Sequence, residues 1–371
     1  MTRSELKNCK RWVLKVGSAL LTDDGKGLNI NFVQRLAKQI AYLRDNGVEI
    51  VLVSSGSVAA GLSQLGLQKR PTQINQLQAA AAVGQASLIR SYEHAFEPYG
   101  VGIAQILLTH ADIANRERYL NARSTILALL DFDQLAIINE NDTVATEEIC
   151  FGDNDSLAAL VANLIEADLL VILTDQSGLY SSDPRTNPAA ELIEEARAMD
   201  ASLLGMASGG TAVGRGGMVT KLTAAQIASK SGAQTVIASG RESNILSRLY
   251  AGEALGTLLL ANERLNSKRQ WMAGQMRVAG KLVIDDGAVD VLQAAGKSLL
   301  PVGVEEVKGD FTRGECVVCV SRNGVEVARG LSNFSSDEAR TIAGKSSSEI
   351  VDVLGYGRDS EIIHRNNLVL V

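Results

Sequence analysis

Apolar residues fall along this chain in two rhythms. Short, almost wholly apolar runs occur at Trp12 to Val16, Glu49 to Val53, Gly102 to Leu107, Leu135 to Ile138, Asp168 to Leu173 and Thr235 to Ala238. Between them, apolar residues recur three and four apart, as in Phe32, Val33, Leu36, Ile40 and Leu43 within the stretch Asn31 to Asn46. The same spacing marks the stretch from Val58, then Leu77 to His94, Asn115 to Leu130, Ser156 to Glu166 and Lys221 to Ser231. The short runs read as strands covered on both faces and the spaced ones as helices. Gly47 and Gly232 stand where two of those helices would close. The alternation predicts an α/β fold: an open, mainly parallel sheet sandwiched by helices, with Thr235 to Ala238 as its last strand. Ligands meet such a sheet at the carboxyl ends of its strands, which puts Lys15, Ser55, Asp142 and Asp175 along one edge.

The pattern changes after Ala261. Asn262 to Trp271 is polar, and beyond it come short alternating runs at Lys281 to Ile284, Gly303 to Val307, Glu315 to Val320 and Val325 to Ala328. Gly324 supplies the turn of a hairpin between the last two. This predicts a domain over residues 1–262, a connector over 263–278 and a small, mainly β domain over 279–371, and a chain of 371 residues is long enough for both.

Charge and composition narrow the function. The net charge is −6, and residues 279–371 hold 10 Lys and Arg against 14 Asp and Glu. That balance argues against nucleic acid or an anionic membrane surface as the main partner. No apolar run approaches the ~20 residues of a membrane helix, and the N-terminus lacks an apolar leader, so a cytoplasmic location is expected. Cys316 and Cys319 form a lone CxxC in an apolar run with no second Cys or His pair nearby, which favours strand packing over zinc. With only three histidines in the chain, histidine-based metal catalysis is disfavoured.

Three clusters carry candidate chemistry. Lys15 lies in an apolar strand just before Gly17, so it either snorkels to the surface or meets an anion, since a buried ammonium is costly alone. Gly214 to Lys221 reads GRGGMVTK. It is not the phosphate loop GxxxxGK followed by Ser or Thr. A bland glycine connection would explain its glycines, but a lysine opening the following helix opposes the helix dipole unless an anion binds there too. Six acids and no Lys or Arg lie between Glu140 and Asp155. One of the residues from Asp153 to Ser156 can serve as a helix cap, yet a cap needs one side chain and not the whole Asp-Asn-Asp run. Ser54-Ser55-Gly56 and Thr174-Asp175 end strands, and each suits a ligand or a plain turn.

Taken in order, VLKVGSALL, VSSGSVAAG, LLTHAD, RERYLNAR, INENDTVAT, FGDNDSLAA, LLTDQSGLYSSDPRTNP and GRGGMVTKL resemble the amino acid kinase family across nearly the whole chain. Within it they are most similar to the enzymes that phosphorylate glutamate. The tail, with LLPVGV, FTRGE, ARGLSNFSSDE and AGKSSSEI, resembles a PUA domain. The resemblance implies transfer of phosphate from ATP, with Mg²⁺ on its phosphates, to the side-chain carboxylate of L-glutamate at the start of proline synthesis. It implies proline as feedback inhibitor, a dimer or tetramer, and glutamate 5-semialdehyde dehydrogenase as a partner. Residue by residue, Lys15 and Lys221 would neutralise the moving phosphoryl group and Asp155 would orient them. Thr174, Asp175, Arg215, Gly216, Gly217, Met218, Val219, Thr220 and the two lysines would hold ATP. Ser55, Gly56, Asp142, Asp153 and Asn154 would hold glutamate. Direct metal ligands are not assigned. Uridylate, carbamate and N-acetylglutamate kinases share the lysines and the glycine loop and remain rivals. An RNA-binding role centred on the PUA-like tail is a rival from another class.

Overall fold

The computed structural model describes residues 2–22, 27–67, 69–145, 154–207, 217–261, 278–295, 297–357 and 359–370. By internal contacts the chain divides into one unit of Met1–Ile113 with Arg123–Ser267, and another of Ala114–Ala122 with Lys268–Val371. The connector stretch 263–277 lies outside the described residues.

In the first unit, eight strands form one sheet: β1 Arg11–Val16, β2 Glu49–Val53, β3 Ile103–Leu108, β4 Leu135–Glu140, β5 Leu169–Thr174, β6 Glu195–Arg197, β7 Gln234–Ser239 and β8 Thr257–Leu260. Their order is β3-β4-β2-β1-β5-β7-β8-β6. Every pair is parallel except β7 with β8. β4 and β5 are buried along their whole length, as strands roofed by helices on both faces must be. Thr235 to Ala238 is therefore not the last strand. β8 runs back antiparallel beside it and pairs in turn with β6. β6 escapes the apolar pattern because it is three residues long with both ends exposed.

Local chemistry sets the helices. Asn29 Oδ1 accepts from Phe32 N–H at 3.0 Å and starts the helix Ile30–Asp45, which buries Phe32, Val33, Leu36, Ile40 and Leu43. Gly47 follows it at φ +80°, a conformation glycine adopts without strain. The helices Ser57–Gln64 and Ile74–Phe96 meet backbone to backbone. A Cβ added at Gly61 would stand 1.7 Å from Ala80 O, and one at Gly84 would stand 1.8 Å from Ser57 O. Two helices begin earlier than the apolar spacing predicts, at Asn154 and at Met218, so Asn154 and Asp155 belong to a first helical turn.

The parallel register levels the strand ends. Lys15 pairs with Val53 on one side and Ile172 on the other, Val53 with Ile138, and Thr174 with Ser239. The residues that follow these strands thus share one edge, which is the condition for a site there.

The second unit has its own sheet, ordered β10-β9-β11-β12-β13, from β9 Gly280–Ile284, β10 Val304–Gly309, β11 Cys316–Ser321, β12 Glu326–Leu331 and β13 Leu368–Leu370. Its core gathers Leu282, Phe311, Val317, Cys319 and Phe334. Burial, with lesser contributions from Cys316 and Glu326, pushes the Cys319 thiol up to about 12. Among the described residues, no helix is long and apolar enough to cross a membrane.

Candidate active site

Lys15 arrives from the middle of the sheet and Lys221 from the first turn of the helix Met218–Ser229. Both reach the same carboxylate. Lys15 Nζ stands 2.6 Å from Asp155 Oδ1, and Lys221 Nζ donates to Asp155 Oδ2 at 3.0 Å. Thr220 Oγ1 lies 2.9 Å from that second oxygen. Relative exposure is 6% for Lys15, 1% for Asp155 and 5% for Lys221, so the snorkelling alternative for Lys15 is excluded. Burial works to raise the Asp155 pKa, but the two ammonium groups outweigh it and hold the carboxyl at about 2. The carboxylate is therefore charged at any physiological pH. The three groups together carry one positive charge, an arrangement ready for an anion.

A second cluster adjoins this one through Asn154, the neighbour of Asp155. Asn154 Nδ2 donates toward Ser54 O at 2.9 Å, Ser55 Oγ at 3.0 Å and Asn139 Oδ1 at 3.0 Å. Ser57 Oγ donates to Asp142 Oδ2 at 3.1 Å. Gly56 turns the chain between these serines at φ +97°, in the left-handed region, and opens the helix Ser57–Gln64. Hydroxyls, a carboxylate and an amide oxygen thus converge just past β2 and β4, a donor and acceptor set suited to an amino acid.

Of the residues singled out from sequence, Lys15, Asp155, Lys221 and Thr220 form one connected group, and Ser55 and Asn154 another. Asp142 joins the second neighbourhood through Ser57. Thr174 and Asp175 end β5 at the same edge, with Thr174 Oγ1 donating to Asp175 Oδ1 at 3.1 Å and Thr174 O accepting from Gly240 N–H at 2.8 Å. No described hydrogen bond ties them to either lysine. Gly217, Met218 and Val219 lead into the Lys221 helix, with Gly217 and Val219 exposed. Asp153, Arg215 and Gly216 lie outside the described residues.

Behind these residues stand partners that the sequence did not single out, Tyr92 and Gln85. Ser54 is fully buried and shares a 2.9 Å hydrogen bond with the Tyr92 hydroxyl, whose burial pushes its pKa up. Gln85 Oε1 accepts from Asn139 Nδ2 at 2.7 Å. Asn139 stood in the acidic string and could have been picked out by its neighbours, but Gln85 gives no signal in a helix otherwise read by its apolar spacing.

The model of the amino acid kinase family matches residues 10–239, and that of the PUA domain matches residues 280–354. A glutamate 5-kinase of Cupriavidus taiwanensis is 59% identical over 371 residues, covering all of both chains. One of Pseudomonas putida strain F1 is 58% identical over 372 residues, again end to end. Among solved structures, a UMP kinase of Bacillus anthracis covers 69% of this chain and 97% of its own at a TM-score of 0.47 and 15% identity, too distant to carry an argument. The paired lysines on one buried aspartate and the family match over most of the sheet-bearing region agree: the chain belongs to the amino acid kinase family, with a PUA domain following its kinase region.

Proposed function

We propose that the protein transfers the terminal phosphoryl group of ATP to the side-chain carboxylate of L-glutamate, giving L-glutamyl 5-phosphate, the first step toward proline. The observation that carries this reading is the grip of Lys15 and Lys221 on opposite oxygens of Asp155, next to Asn154 and Ser55. Two ammonium groups held from opposite sides by one carboxylate are pre-aimed, so they can meet phosphate oxygens with little reorganisation. The acceptor carboxylate is already ionised at neutral pH and needs no general base. Catalysis then reduces to in-line positioning and charge stabilisation. That suits a site built from lysines, an aspartate, amides and hydroxyls.

In this reading Lys15 and Lys221 hold the phosphates, and Asp155 holds the lysines. Thr174, Asp175 and the stretch Arg215 to Thr220, including Gly216, Gly217, Met218 and Val219, serve the nucleotide. Ser55, Gly56, Asp142, Asp153 and Asn154 serve glutamate. Mg²⁺ travels on the nucleotide phosphates and screens their charge. Residues 1–262 are the catalytic domain, 263–278 the connector and 279–371 the PUA-like domain. Proline acts as feedback inhibitor, the protein works in the cytoplasm as a dimer or tetramer, and glutamate 5-semialdehyde dehydrogenase takes its labile product.

Support for glutamate over UMP, carbamate or N-acetylglutamate comes from the names of the full-length relatives. The test is ADP release with each of the four acceptors, with hydroxylamine added to trap an acyl phosphate as its hydroxamate. Glutamate should give both ADP and hydroxamate. Turnover with UMP and none with glutamate would refute the assignment. The same assay with added proline tests feedback, and light scattering gives the oligomer.

A further inference from the structure

We propose that Gln85 is a positioning residue for the amino acid subsite, acting through Asn139 on Asn154. The inference rests on the reading of this edge as the glutamate subsite.

The argument is one of hydrogen-bond direction. A backbone N–H cannot be flipped, and Glu140 N–H donates to Asn139 Oδ1 at 2.9 Å. That fixes the Asn139 amide, so its NH2 must face the other way and needs an acceptor. Gln85 Oε1 is that acceptor at 2.7 Å. The fixed Asn139 Oδ1 in turn receives Asn154 Nδ2 at 3.0 Å, which sets the Asn154 amide the same way round. The described side-chain hydrogen bonds of Asn154 all leave through Nδ2, whose two hydrogens are shared among Asn139 Oδ1, Ser54 O and Ser55 Oγ. What Asn154 has left to offer a ligand is its carbonyl oxygen, an acceptor. An acceptor suits a substrate ammonium group and rejects a carboxylate.

Burial sharpens the case. Gln85 is 9% exposed, Asn139 1% and Asn154 8%. Gln85 Nε2 is buried with no hydrogen-bond partner among the described residues. A buried amide donor left in that state is costly, so Leu or Met would fill a purely packing position better. What Gln supplies here, and Leu or Met cannot, is the acceptor Oε1. Its placement is also fixed by the main chain: the neighbouring Gly84 lets the helix Ile74–Phe96 approach Ser57 O so closely that no Cβ would fit. The residue next to that contact is thereby held at a set distance from the start of the helix Ser57–Gln64.

The test compares Gln85→Met, which keeps the shape without the acceptor, Gln85→Asn, which withdraws the acceptor by one methylene, and Gln85→Glu, which keeps it. Thermal unfolding is followed for each, and the KM for glutamate, the KM for ATP and kcat are measured. Gln85→Met and Gln85→Asn should raise the glutamate KM about tenfold, the size expected for one lost hydrogen bond to a buried group. The ATP KM should stay within twofold, and Gln85→Glu should lie closer to wild type than either. Should Gln85→Met fail to fold, Gln85→Asn carries the same reading. A glutamate KM within twofold of wild type in the variants lacking the acceptor overturns the proposal, as does an equal rise in both KM values. Wild type is assayed alongside. Absence of glutamate turnover there would sink the function itself, whereas a normal wild type with unmoved variants would sink only the role of Gln85.

Discussion

Replacing Asp155 with Asn removes one charge and almost no volume. In the folded protein that charge is shared between Lys15 Nζ at 2.6 Å and Lys221 Nζ at 3.0 Å. Two opposing effects set the size of the loss. Burial of the carboxylate is unfavourable, and the two lysines more than offset it, leaving the pKa at about 2 in place of an ordinary 3.8. That difference corresponds to roughly 2 kcal/mol of stability. Removing the shared partner also leaves two buried cations facing each other, and breaking a buried ion pair from one side costs on the order of 3–5 kcal/mol. The larger figure is expected for Asp155→Asn, read as a lower urea midpoint of the kinase unit.

The activity should split. Turnover should fall by about 10²–10³, the scale for losing one preorganised electrostatic element, because the lysines are no longer aimed. Nucleotide binding should persist, since a carboxylate beside the phosphates has gone. The assay is kcat together with ATP affinity by calorimetry. Turnover within tenfold of wild type, or ATP affinity weakened a hundredfold, would refute the orienting role. The pH dependence follows with a definite sign. The folded pKa of Asp155 lies below its unfolded value, so its contribution is complete above about pH 4 and is lost as the pH falls toward about 2. The stability gap between wild type and variant should thus be flat from pH 8 to 5 and shrink only in the acid range.

Lys221→Ala should lower kcat by about 10²–10³ with the fold retained, and a value within tenfold of wild type counts against its role. Gly61→Val should place its Cβ 1.7 Å from Ala80 O, force the two helices apart and cost about 3 kcal/mol or more; an unchanged thermal midpoint would show that the two helices can part freely. Cys319, fully buried with its thiol raised to about 12, should resist a disulfide reagent at pH 8 in the native protein and react in urea. Rapid native labelling at Cys319 would contradict that burial.

Much of the site was legible because strand ends in a parallel sheet are brought level by register, and register follows from apolar runs. Lys15 and Ser55 could be placed on one edge without knowing any distance. Asp155 was legible as part of an acidic run, but its geometry was not, because the helix starts at Asn154 and not after the capping run. Gln85 was invisible for a different reason. A polar residue inside a long helix is ordinarily solvated, and only the close approach at Gly84, a tertiary fact, turns it inward. β6 and β8 were missed because strands of three and four residues carry too few positions to show a period. β13 escaped likewise, being three residues next to the end of the chain.

The two cations of the site come from opposite ends of the kinase unit, one on its opening strand and the other on a helix that follows β6. A nascent chain that has emerged only through β5 would hold Lys15 and Asp155 without Lys221, and on the proposed function it should be inert toward ATP. If the proposed roles hold, catalytic competence arrives only after Lys221 is made, and neither half of the unit expressed alone should consume nucleotide. Mixing the two halves is a complementation experiment in which recovered turnover reports their docking directly.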